Sequence, residues 1–299
     1  MTDYRRFIKM GPERLLQKIF CYDEIYTVAL RKKGSLGSFT MVPNDPDTWM
    51  ADPLITTWDG QDYLFAEVFD QKNHRGHIAC AMISDEPLKL HTVIAEPYHM
   101  SFPMIFFWND SYYMVPETSE NHSINLYQAK QMPDQWELVK SFHTDGLIVD
   151  SVVFSQSSDE VHLLGSESDP VNGLRCRFVK YSIRKTDGDY ELIWNAEFNA
   201  SQKFNYHDRC AGPLLNHAIL PVQLSTDLDY GVSIQFRNLK EKKIENVIDR
   251  SNTKIEGIPA ERIIGIHTWS EGKNYEAIDA RYLKKDLLLN IHRLERRLK

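Results

Sequence analysis

The sequence predicts an all-β chain folded as a five-bladed β-propeller, with a short helix at each terminus. Three observations lead there. The stretch from Trp49 to Glu67 reads as a strand, a tight Asp59-Gly60 turn and a returning strand, and the plan recurs from Ser101 to Glu117 and from Asp150 to Glu167. The closing glutamates of these hairpins, Glu67, Glu117 and Glu167, are spaced by 50 residues each time. Short-strand units repeating every 40 to 50 residues or so are the mark of propeller blades. Finally, the strand Ile25–Leu30 precedes the first full unit and has no partner nearby. Propellers close by lending such a strand to the last blade, which removes a free edge.

In order, Pro12 suits the first turn of a helix, and Glu13 to Phe20 reads as a short one with Leu15, Leu16 and Ile19 inward. Residues 1–24 are therefore a helical extension and 25–281 the propeller. Residues 31–48, rich in Gly, Ser, Pro and Asp, form a link. Blade one spans about 49–94, with later strands over Gly76–Ile83 and Lys89–Ile94. Blade two spans about 99–143 and blade three about 148–196. Blade four starts near Cys210, turns at Leu215-Asn216-His217 and returns through Gln223, with a further strand over Tyr230–Arg237. Blade five starts near Ile263 and ends with Tyr275–Arg281. Leu287, Ile291, Leu294 and Leu298 then make a helical stripe, so residues 282–299 read as a basic amphipathic helix. Such a helix suits either its own domain or an anionic membrane surface.

Composition narrows the function. The 299 residues carry a net charge of −7, which argues against a nucleic-acid partner. The four cysteines have neither disulfide-framework nor zinc spacing, and the first twenty residues lack a secretory apolar run. No stretch is apolar enough to span a bilayer as a helix. A cytoplasmic protein, at most peripheral to a membrane, is the expectation. No glycine-rich phosphate loop or dinucleotide fingerprint occurs, so no cofactor is expected, and no compact ligand pattern points to a metal.

The inner-strand starts and second-strand ends of a propeller share one face. That face collects Asp52, Glu67, Glu117, Asp150 and Glu167, with Trp49, Tyr98, Phe102, Phe204, Tyr206 and Trp269 nearby. Carboxylates beside flat rings suit a sugar. Two carboxyls can also run glycosidic chemistry, one ionised and the other kept protonated by a neighbouring like charge. Asp52 is the candidate base or nucleophile, Glu117 the candidate acid and Asp150 the charge that tunes it. Trp49, Glu67, Phe102, Glu167, Arg209, His267 and Trp269 are candidate substrate contacts. The repeated glutamates serve equally well as blade architecture, pairing with backbone N–H groups or an arginine.

Trp49-Met50-Ala51-Asp52-Pro53, followed by Tyr63-Leu64-Phe65-Ala66-Glu67, resembles the opening of the five-bladed propeller glycosidases of the arabinofuranosidase, xylosidase and fructosidase groups. With Ser101-Phe102-Pro103, Tyr113 to Thr118, Asp150 to Phe154, Arg209 to Gly212 and Gly265 to Thr268, the pattern is similar to the N-terminal domain of plant glucosamine inositolphosphorylceramide transferases. It is similar too to bacterial propellers found beside sugar formyltransferase domains. The glycosidase resemblance implies that Asp52 is base or nucleophile and Asp150 an orienting carboxylate. The later-blade glutamate that serves those enzymes as acid has no counterpart here; Arg209 occupies that neighbourhood. Three functions stay open: an enzyme of glycosidic bonds using a glycan or nucleotide sugar, a glycan-recognition domain in polysaccharide or glycolipid synthesis, and a structural or protein-interaction propeller.

Overall fold

The computed structural model describes residues 22–84 and 87–285. Both terminal helices expected from sequence lie outside these residues, except that 282–285 belong to the last strand. Five sheets surround one axis. Blade one is β3 (Thr48–Trp58), β4 (Gln61–Asp70), β5 (Arg75–Met82) and β6 (His91–Ile94), in that order from the axis outward. Blade two is β7 (Ser101–Trp108), β8 (Ser111–Thr118), β9 (Ser123–Gln131) and β10 (Gln135–His143). Blade three is β11 (Ile148–Gln156), β12 (Glu160–Ser168), β13 (Cys176–Thr186) and β14 (Asp189–Trp194). Blade four is β15 (Arg209–Cys210), β16 (Ile219–Leu224), β17 (Ser233–Asn238) and β18 (Lys243–Asp249).

Blade five closes the ring with both ends of the described chain. β19 (Ile263–Gly265) and β20 (Trp269–Glu271) pair with β21 (Tyr275–Lys285), β21 pairs with β1 (Tyr22–Lys32), and β2 (Thr40–Met41) lies outside β1. The β1–β21 ladder runs from Tyr22 opposite Lys285 to Lys32 opposite Tyr275. The N-terminal strand therefore completes the last blade, as its lack of a local partner predicts. Asp62 fastens the same junction. One of its oxygens accepts from the Thr57 hydroxyl and Lys273 N–H, and the other from the N–H groups of Asn274 and Tyr275, all at 2.6–3.2 Å.

Each wedge between adjacent blades holds its own apolar cluster, because alternate residues of a strand face opposite blades. Phe65 and Ile78 pack towards blade two with Met100 and Met114, while Leu64 and Ala66 pack towards blade five with Val28 and Ala277. Tyr113 and Leu126 meet Leu163 and Ile183 between blades two and three. Val152 and Leu164 meet Cys210 and Leu220, and Ile234 meets Ile266 and Ile278, in the remaining wedges.

The inner strands share a local distortion that the repeat pattern alone does not reveal. β3, β7 and β11 are each bulged, and Asp52 (φ 51°), Phe102 (φ 44°) and Asp150 (φ 47°) occupy the left-handed region inside the bulge. Non-glycine residues held there are strained, and bulges re-aim side chains at sites. Among the described residues no helix is long and apolar enough to cross a membrane.

Candidate functional site

The bulges turn two aspartates towards the axis, and two cations meet them. Arg209, on the short strand β15, donates Nε–H to Asp150 Oδ2 and brings a second nitrogen within 3.6 Å of Glu117 Oε2. Its guanidinium lies over the Tyr230 ring, 5.0 Å from the centroid. Glu117 also accepts the Ser119 hydroxyl at 2.7 Å. On the other side, His267 Nδ1 is 2.5 Å from Asp279 Oδ2 and Nε2 is 3.4 Å from Asp52 Oδ1. Asp279 is held by backbone: His267 and Thr268 N–H donate to one oxygen and Asp52 N–H to the other. Phe102 N–H reaches Asp52 Oδ2 at 3.3 Å, which links the second bulge to the first.

Burial and charge set the proton affinities. Burial raises Asp52 well above the usual carboxylate range; His267 opposes this, and Glu67, Asp150 and Asp279 add to it. Burial, reinforced by Glu117, Asp279 and Asp150, raises Glu67 strongly as well. Asp150 is lifted by burial to about 7, against the pull of Arg209. Asp279 moves the other way, because His267 and the surrounding donors outweigh its burial. His267 is raised, burial being overcome by Asp279 first and then Asp52 and Asp150. Two carboxyls on one imidazole are thus pushed apart, Asp279 towards the anion and Asp52 towards the acid.

Glu67 keeps one oxygen unsatisfied. It is 4% exposed, and its Oε1 is buried without a hydrogen-bond partner; His99 Nε2 is 3.6 Å from that oxygen. Gly76 makes its space: a Cβ there would lie 2.5 Å from Glu67 Oε1. A continuous series of rings flanks these groups. Tyr230 contacts His267, His267 contacts Tyr26, Tyr26 contacts Trp49, Trp49 stacks on Phe69 at 4.4 Å, and Phe69 contacts His99. Below them Pro53, Pro103 and Pro213 line a narrow axial opening with Asp52, Phe102, Gly212 and Thr268.

The predicted residues therefore divide. Asp52, Glu67, Glu117, Asp150, Arg209 and His267 form one electrostatically linked group, with Trp49 in the ring series beside it. Glu167 does not join it: Arg177, its cross-strand partner, binds it at 2.6 Å, which is the architectural role of a blade glutamate. Phe102 contributes a backbone N–H and the wall of the axial opening, while its ring is buried with Met104, Val152 and Leu164. Trp269 is a core residue, edge-on to Phe236 with its N–H on Glu276. Phe204 and Tyr206 lie under Arg177 and Arg175. His207 is exposed.

Sequence reasoning missed Asp279, Tyr26, Tyr230 and His99. Asp279 left one trace, a carboxylate in the strand Ala277-Ile278-Asp279-Ala280 whose neighbours are all buried. The ligand atoms of Asp52, His267 and Asp279 lie within 4.8 Å of one another, close enough for one small cation, and the same two carboxyls favour the charged form of His267.

The chain has relatives. The family described as glucosamine inositolphosphorylceramide transferase 1, N-terminal, matches residues 38–189, just over half of the chain and all of the first two blades. The chain belongs to that family. The Arabidopsis thaliana glucosamine inositolphosphorylceramide transferase 1 is 33% identical over 113 residues, 36% of this chain and 14% of that protein. The protein of the same name from Oryza sativa subsp. indica is 29% identical over 111 residues, 36% of this chain and 15% of that one. The matches thus span about a seventh of these plant proteins. Among solved structures, a candidate glycoside hydrolase from Bacteroides ovatus is similar with TM-score 0.50 and 11% identity, covering 87% of this chain and 96% of that one. That likeness concerns the fold alone.

Proposed function

We propose that this propeller acts on a glycosidic bond, by hydrolysis or by transfer from a glycan or nucleotide-sugar donor. The observation that carries the reading is a buried carboxyl with an unpartnered oxygen, Glu67, set among Asp52, Asp150 and Glu117. A carboxyl that keeps its proton near neutrality is what protonation of a leaving oxygen requires. Glu67 takes the acid role in place of Glu117, whose oxygens already face Ser119 and Arg209. Burial, with the like charges of Glu117 and Asp279 beside it, holds the proton on Glu67. Asp52 acts as base or nucleophile once its proton has passed to His267, which Asp279 orients and whose charged form Asp279 favours. Arg209 and Glu117 then bind hydroxyls, and the rings beside them stack on sugar faces.

The family supports a glycan as substrate, since its plant members carry the name of a transferase of this kind. A second reading, glycan recognition without turnover, draws on the engagement of Asp150 by Arg209 and of Asp279 by His267, which leaves few free catalytic atoms. The test is a panel of p-nitrophenyl furanosides and pyranosides together with nucleotide sugars. Turnover by the wild type that falls in Glu67→Gln and Asp52→Asn supports the enzyme. Saturable binding lost in Arg209→Ala, with no turnover across the panel, supports recognition. Neither turnover nor binding overturns both.

A further inference from the structure

We propose that Cys80, His91 and Asp134 form a binding site for a zinc-like divalent cation at the outer edge of the wedge between blades one and two. Cys80 lies on β5 directly opposite His91 on β6, so the ladder puts both side chains on one face. Asp134 comes from the turn between β9 and β10 of the next blade, a turn pinned by the Trp136 N–H to the Pro133 carbonyl at 2.7 Å. Cys80 Sγ is 3.7 Å from His91 Nε2 and 3.7 Å from Asp134 Oδ1, while the nitrogen and oxygen are 2.6 Å apart.

A tetrahedral zinc with bonds of about 2.3 Å to sulfur and about 2.0–2.1 Å to nitrogen and oxygen separates its ligand atoms by about 3.3–3.6 Å. Both sulfur distances are near that value, and the His91–Asp134 contact has only to open by roughly 0.7 Å. Both of those side chains are more than half exposed, so they are free to move. A thiolate with an imidazole and one carboxylate selects a borderline-soft ion over calcium or magnesium. Metal binding would tie β5 and β6 of blade one to the β9–β10 turn of blade two, beside the apolar packing of Ile94, Tyr127 and Met132.

The test uses the full chain, stripped with chelator and titrated with Co²⁺ and then Zn²⁺. One equivalent of Co²⁺ is expected, with a near-ultraviolet thiolate-to-cobalt band that Zn²⁺ displaces. Cys80→Ser should abolish the band, and His91→Ala and Asp134→Asn should each weaken binding tenfold or more. His143→Gln, an exposed histidine on β10 outside both clusters, should leave the band intact. Absence of the band in the wild type overturns the site, as does its persistence in Cys80→Ser or its loss in His143→Gln. The two exposed positions keep the test decisive should Cys80→Ser fail to fold, since unchanged affinity in both His91→Ala and Asp134→Asn also overturns it.

Discussion

Asp279 Oδ2 lies 2.5 Å from His267 Nδ1, with the carboxylate fully buried and the imidazole nearly so. The pair joins the second strand of the last blade to the segment before β20, and through Asp52 N–H it reaches the first blade. It therefore serves ring closure as well as the axial site. Asp279→Asn removes a buried charge and strands its partner, which costs about 3–5 kcal/mol. Thermal unfolding should show the loss; a melting temperature within a degree or two of wild type would count against the role.

Asp62 makes the other closure contact, and its sign with pH follows from its environment. Burial alone would raise it, but the Thr57 hydroxyl and the N–H groups of Asn274, Lys273 and Tyr275 outweigh that and hold it below its ordinary value of 3.8. The stability it contributes is present above that value and is lost as pH falls through the lower folded one. Acid unfolding should be less steep in Asp62→Asn than in the wild type. Identical acid profiles would show that the contact is not part of the linkage.

Asp150 behaves oppositely. Burial raises it from 3.8 to about 7 in the folded chain, so the folded state keeps a proton that the unfolded chain releases. The stability from this group is fully present below about 4 and is lost as pH rises through about 7. Difference infrared spectra of wild type against Asp150→Asn should show a protonated carboxyl signal that fades across that upper range. A signal that has already vanished at pH 5 or so would contradict the assignment.

Gly212 is at φ 149°, and a Cβ there would lie 1.9 Å from the Trp269 carbonyl oxygen. The neighbouring Ala211 carbonyl accepts the Trp269 N–H at 2.7 Å, so blades four and five approach backbone to backbone. Gly212→Ala should therefore destabilise by at least about 3 kcal/mol, at the severe end for one substitution. Denaturant unfolding with an unchanged midpoint would show that the junction relaxes easily.

The blade plan was legible because hairpin geometry repeats in the sequence. Asp52, Ser101 and Asp150 begin the inner runs, and the glutamates close the returning strands. Closure by the first strand was legible from its missing partner. The separation of site residues from framework residues was not. Glu67 and Glu167 stand at matched positions, yet an arginine opposite Glu167 on β13 turns one into an ion pair, while Ile78 opposite Glu67 on β5 offers no such partner. Trp269 and Trp49 both lie near strand starts, and only packing decides that one belongs to the core. The strained conformation of Phe102 carries no side-chain signal, because any residue placed in that bulge would meet it. His267 and Asp279 are 12 residues apart in sequence and meet only because β21 returns beside the segment before β20.

Proton donation by Glu67 is tested by setting its Gln substitution beside that of Glu167. Gln has the shape of the protonated acid and no proton to give, so Glu67→Gln should change stability by no more than about 1 kcal/mol while turnover of a reactive glycoside or nucleotide sugar falls a hundredfold or more. Glu167→Gln, which removes a partly buried ion pair of blade three, should leave turnover intact. Turnover of Glu67→Gln equal to that of wild type, in a folded protein, would contradict the account.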